Sequence, residues 1–108
     1  MGDGDVQKGK KIFLRQCSRC HPIQKDPGHG MGPNLYGVVG RKVADAPGFT
    51  YSSAMMKRTF IWDQKHLCKF LKNPRKFIPG TNMLQCCLEE KEHRQNLIAY
   101  LRSASDSH

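Results

Sequence analysis

The chain has 108 residues, with 18 basic against 9 acidic side chains and a formal charge of +9. That length suits one domain over residues 1–108 with a single modest core, and hydrophobic residues reach only 38%, below the roughly 45–50% usual when Gly is counted in. Its longest apolar runs, Ile12-Phe13-Leu14 and Phe60-Ile61-Trp62, fall far short of the about 20 residues that cross a bilayer, which excludes a membrane-spanning helix. The start, Met1-Gly2-Asp3-Gly4-Asp5, is acidic and without an apolar stretch, so neither a secretory signal nor a cleaved presequence is expected. Residues 1–4 and 105–108 are expected to be loose ends.

Val6, Gly9, Phe13 and Cys17 then recur at helical spacing, with Asp5 placed as the N-cap. Glycine inside such a stripe costs about 1 kcal/mol relative to alanine, so another backbone is expected to press against Gly9. Asp26 to Gly48 holds most of the glycines and half of the prolines and reads as loop. A short helix is expected over Ser52 to Lys57, capped by Ser52. Another runs from Asp63 to Asn73, capped by Asp63, with Leu67, Phe70 and Leu71 inward and a stop before Pro74. Pro79-Gly80 turns the chain into a further loop. Near the end, Leu97, Tyr100 and Leu101 stand at i, i+3, i+4. Glu89, Glu90 and Glu92 precede them, with Arg94 and Arg102 further along, the order that complements a helix dipole. The two terminal helices are expected to cross at Gly9. Alternating strand patterns are absent, so the fold class is all-α, with more loop than its own core can hold together.

The positive charge calls for an acidic partner surface: protein, phosphate-rich or anionic lipid. Basic residues are spread without a block of five or six, which argues against nucleic acid. They are densest from Lys57 to Lys76, where Lys57, Arg58, Lys65, Lys69, Lys72, Arg75 and Lys76 meet only Asp63.

Five cysteines, Cys17, Cys20, Cys68, Cys86 and Cys87, are an odd count and fit no disulfide framework. Cys17-Ser18-Arg19-Cys20-His21 is C-x-x-C-H, the attachment motif of c-type haem. Two cysteines three apart reach the two vinyl groups of one porphyrin edge, and the next residue, His21, is held beneath the iron. A thioredoxin-like pair would follow a strand, whereas a helical pattern precedes Cys17. A zinc site needs a second chelating pair, which Cys68 and Cys86-Cys87 do not form. For a second axial ligand the residues leave Met31, Met55, Met56, Met83, His29, His66 and His93 open.

From Gly4 to about Ala104 the chain resembles the mitochondrial cytochrome c family. Lys8-Gly9-Lys10-Lys11-Ile12-Phe13, Cys17 to His21, Gly32-Pro33-Asn34-Leu35 and Gly40-Arg41-Lys42 carry the likeness, as do Ala46-Pro47-Gly48-Phe49, Trp62 and Asn73-Pro74. Ile78-Pro79-Gly80-Thr81, Met83 and Leu97-Ile98-Ala99-Tyr100-Leu101 complete the series. The resemblance implies crossed terminal helices around one covalently attached haem c, with Cys17 and Cys20 as thioether donors. His21 and Met83 would be the axial iron ligands, and the Pro33 carbonyl would orient His21. Tyr51, Trp62 and Arg41 would hold the haem propionates, and Thr81 joins them among the haem-binding residues.

The same resemblance implies a non-enzymatic one-electron carrier, Fe(II)/Fe(III), between cytochrome c reductase and cytochrome c oxidase. It would be a monomer of the mitochondrial intermembrane space, soluble or peripheral on anionic lipid. Lys11, Arg15, Arg75 and Lys76, with Lys91, would form the docking face. An apoptotic role on a caspase-activating platform and haem peroxidase activity on anionic lipid are the alternatives. The chain departs from the family pattern at Phe70 (usually Tyr), Met55 (usually Asn), Gln85 (usually Phe), Cys86-Cys87 (usually Ala-Gly) and Glu89-Glu90 (usually Lys).

Overall fold

The computed structural model describes residues 4–24, 28–46, 48–81, 83 and 88–106; Gln85, Cys86 and Cys87 lie outside them. Its helices are α1 (Val6–Ile12), α2 (Ser53–Met56), α3 (Gln64–Lys72), α4 (Pro74–Phe77) and α5 (Lys91–Asp106), and α1 runs on into a π-helical turn over Phe13–Cys17. No strand is present among the described residues; a lone antiparallel bridge joins Lys42 and Ile61.

Short-range chemistry starts three of the four expected helices. The Asp5, Ser52 and Asp63 side chains accept from the backbone N–H of Lys8, Met55 and His66, each three residues on. Gly9 is the crossing point: a Cβ there would lie 2.9 Å from the Tyr100 Cβ and closer still to the Asn96 backbone. Asn96 fastens the crossing further, its Oδ1 accepting the Asp5 N–H at 2.7 Å. Phe13 and Tyr100 pack ring to ring beside it, 5.5 Å apart.

Three expectations change. Val6 is exposed rather than part of the buried stripe, because the helix begins there and only Gly9, Phe13 and Cys17 turn inward. Asn73-Pro74 ends α3 but also starts α4: Asn73 caps it, and proline suits the first helical position, where its missing N–H is not needed. Only Glu92 lies in the first turn of α5, its last turn holds no base, and Arg94 is buried instead of serving the dipole. The expected loose ends fall partly outside the described residues, but Gly4 packs on Gln95 and Asn96, and α5 continues to Asp106.

Leu67, Phe70 and Leu71 do face inward, joined in one core by Phe13, Ile78, Leu88, Leu97, Ile98 and Leu101. The hydrogen bond that the His66 backbone N–H donates to Asp63 holds its carboxyl below the ordinary range, with the His66 side chain and Lys65 adding to the effect. A carboxyl lowered on folding stabilises fully above its unfolded value and loses that contribution as pH falls through its folded value. Asp63→Ala should therefore lower the thermal midpoint at neutral pH, by a margin that closes in acid below about pH 3.8. Asp63→Asn keeps a cap, so its margin should be smaller at neutral pH, yet it should shrink by the same amount in acid, because both variants lose the one titrating group. Equal margins at pH 7 and pH 2 would refute the assignment.

Candidate functional site

A cavity of about 690 Å³ opens in the middle of this helical frame, within the range of cofactor sites. The π-helical turn and the residues after it supply one wall, with Cys17, Cys20 and His21. Gly32, Pro33, Leu35 and Arg41 come from the long loop. Tyr51, Met55 and Trp62 follow, then Leu67, Phe70 and Leu71 of α3, Thr81 and Met83, and finally Leu97 and Leu101 of α5. Every residue expected to bind or ligate haem lines this one space.

The attachment motif is held by its own backbone. The N–H groups of Cys20 and His21 both donate to the Cys17 carbonyl, at 3.1 and 2.9 Å. Cys17 is buried and Cys20 half-buried, neither in a disulfide. His21 Nδ1 lies 2.8 Å from the Pro33 carbonyl. A carbonyl can only accept, so Nδ1 carries the proton and Nε2 keeps its lone pair. Burial lowers the His21 pKa, partly offset by the bond to Pro33, and so favours the neutral imidazole a metal requires. Gly32 completes the cradle: a Cβ there would lie 2.7 Å from Nδ1 and 2.8 Å from Nε2 of the same ring.

On another side, the bridge between Lys42 and Ile61 brings Arg41 and Trp62 together. Trp62 N–H donates to the Arg41 carbonyl at 2.8 Å, and Gly40 N–H donates to the Trp62 carbonyl at 2.8 Å. The Arg41 guanidinium donates to the carbonyls of Tyr36 (2.9 Å) and Asn34 (3.4 Å), while its Nε is buried without a partner. A half-buried cation with a buried spare donor at a cavity wall suits an acidic group on whatever fills the space. The Tyr51 hydroxyl accepts from Ala46 N–H at 3.1 Å, which leaves its own proton to donate. Trp62 is buried against Phe70, ring centroids 5.2 Å apart. Thr81 is buried, and its Oγ1 accepts the Met83 N–H at 3.3 Å.

The donor set therefore fits a haem: two thiols, a neutral imidazole, a thioether, apolar walls and a cationic edge in one cavity. Where family members carry Tyr and Asn, Phe70 and Met55 both line that cavity and add only apolar surface. Two contributors were not read from the residues beforehand. Gly32 stood only within the family-like run Gly32-Pro33-Asn34-Leu35, with no role of its own, and Arg94 read as a base that complements the helix dipole.

Lys11, Arg15, Arg75, Lys76 and Lys91 are all exposed, and Arg15 borders the cavity. Glu89 and Glu90 are exposed as well. No described helix is long and apolar enough to cross a membrane.

The family model for cytochrome c matches residues 6–105. The chain is similar to the cytochrome c of Sesamum indicum, 43% identical over 102 residues that cover 94% of this chain and 92% of the relative. It is 38% identical to that of Gibberella zeae over 105 residues, covering 97% and 99%. With that of Theileria parva it shares 44% over 103 residues, covering 95% and 89%. With Cys17 and Cys20 placed as the C-x-x-C-H motif requires, the chain belongs to the cytochrome c family, electron carriers that bind covalently attached haem c.

Proposed function

We propose that residues 1–108 act as one domain that carries single electrons from cytochrome c reductase to cytochrome c oxidase, as a monomer of the mitochondrial intermembrane space. The observation that carries this reading is His21, neutral and fixed by Pro33 in a cavity that Met83 also lines. When bound, haem supplies an iron that cycles between Fe(II) and Fe(III). Cys17 and Cys20 anchor the ring through thioethers. His21 offers Nε2, and Met83 offers a soft sulfur that favours the reduced metal and raises the potential. Arg41, Tyr51 and Trp62 meet the propionates. Leu35, Leu67, Phe70, Leu71, Leu97 and Leu101 exclude water, which keeps reorganisation small on electron transfer.

A visible spectrum after acid-acetone extraction tests the covalent attachment: a Soret band that stays with the protein supports it, and its loss refutes it. Reduction by ascorbate followed by stopped-flow oxidation with cytochrome c oxidase tests the shuttle. Caspase activation and peroxide turnover on anionic vesicles would assay the two other roles the family suggests.

Docking is expected to depend on Lys11, Arg15, Arg75 and Lys76, opposed by Glu89 and Glu90. Those two acids stand just before α5, where their charge weakens a positive face. Glu89→Lys with Glu90→Lys should raise the oxidase association rate about three- to tenfold at low salt. The gain should fade near physiological salt, where screening acts over about 8 Å. An unchanged rate at low salt would place the docking face elsewhere.

A further inference from the structure

Arg94 is only 7% exposed, yet no carboxylate is paired with it among the described residues. Its guanidinium is spent on three acceptors, one from α3 and two from the segment just before α5. NH1 donates to the carbonyls of Leu88 (2.8 Å) and Glu89 (2.9 Å), and Nε donates to the Cys68 Sγ of α3 at 3.1 Å. Burying a cation against neutral acceptors is costly, so the placement needs a return other than stability alone.

Leu88 is the point where that return is visible. It is itself 4% exposed, and its N–H donates to the carbonyl of Leu71, a residue of the cavity wall, at 2.8 Å. Met83 lies five residues upstream. On its other side stands a second anchor: Ile78 is fully buried, and the Thr81 N–H donates to the Ile78 carbonyl at 3.0 Å. Met83 therefore stands in sequence between two fixed points, and freeing Leu88 would lengthen the stretch of chain that can move with it.

We propose that Arg94 is a positioning residue for Met83: by clamping Leu88 and Glu89 to Cys68 of α3, it keeps the thioether at the haem and slows its release. The inference rests on Met83 being the axial ligand. Its mechanism is mechanical rather than chemical, since Arg94 does not line the haem cavity. Cys68 contributes the contact to α3, and an alanine there removes one of the three bonds.

The test uses the ferric holoprotein at neutral pH, with imidazole as an exogenous ligand that binds only when Met83 leaves. Arg94→Met keeps the packing and loses all three bonds; it should raise the apparent imidazole affinity about tenfold or more. Cys68→Ala should give a smaller rise, and Arg94→Lys should recover part of the loss. Asn96→Ala is the control, because it loosens the α1–α5 crossing by breaking the Asp5 bond without touching the clamp. Equal imidazole gains in Arg94→Met and Asn96→Ala, at matched losses of global stability, would overturn the proposal, as would no gain in Arg94→Met. Absence of the sulfur-to-iron charge-transfer band in the unmutated protein would instead overturn the Met83 assignment, and this inference with it. A normal band with an unmoved Arg94→Met would overturn the inference alone.

Discussion

The double variant Cys17→Ser/Cys20→Ser should be largely unfolded, with the far-ultraviolet circular dichroism of a coil. The reason is burial. Without its filling group, the apolar side chains around the 690 Å³ at the centre of this chain would face water, and each such Leu or Phe is worth about 1.5–3 kcal/mol when buried. A domain of this size has about 5–15 kcal/mol in total. Without thioethers the filling group is held by axial bonds alone and is lost on dilution, whereas either single serine variant keeps one covalent link and should stay folded. A double variant that shows native helicity without haem would mean that the walls collapse onto themselves, and the cavity would then be no measure of dependence.

Gly32→Val should be the most damaging single change in the loop. Even a Cβ at this position falls within 2.8 Å of both imidazole nitrogens of His21. The ring has little room to retreat, because Nδ1 is bonded to Pro33 and the backbone on each side is pinned. His21 N–H donates to Cys17, and Gly32 N–H donates to the Cys20 carbonyl at 2.8 Å. Overpacking of this kind costs about 1–3 kcal/mol or more, which lowers the thermal midpoint by roughly 5–20 °C. The ferric spectrum should show a weakened proximal bond alongside the loss of stability. If both spectrum and midpoint stay as they were, the ring moves freely and the cradle is not one.

What could be read from the residues follows from how far each interaction reaches. The caps Asp5, Ser52 and Asp63 act over three residues, so composition near a helix start is enough to find them. C-x-x-C-H is local for the same reason. Gly9 was legible because a glycine inside a helical stripe has few explanations other than close approach of a second backbone.

Asn73-Pro74 misled because its two meanings share the same atoms: a proline that ends one helix is also suited to open the next. Arg94 was opaque for a different reason. Its acceptors are two backbone carbonyls and a sulfur 26 positions away, none of which has a charge pattern to reveal it. Gly32 likewise owes its importance to a histidine that only the folded loop brings beside it. The cavity itself followed from a deficit, too few apolar residues for too much loop, and its walls came from all parts of the chain.

The crossing of α1 and α5 has a consequence for the order of events in the life of the chain. The Asp5–Asn96 hydrogen bond spans 91 positions, and the backbone that receives Gly9 belongs to the last helix made. No amount of early synthesis can supply that partner, so the largest helix contact waits until the ribosome has released nearly everything. Closing so long a loop adds little extra entropy per residue but makes collapse late and all at once. Until then the chain stays open, and both thiols of the attachment motif, Cys17 and Cys20, stay within reach of the group they are to hold.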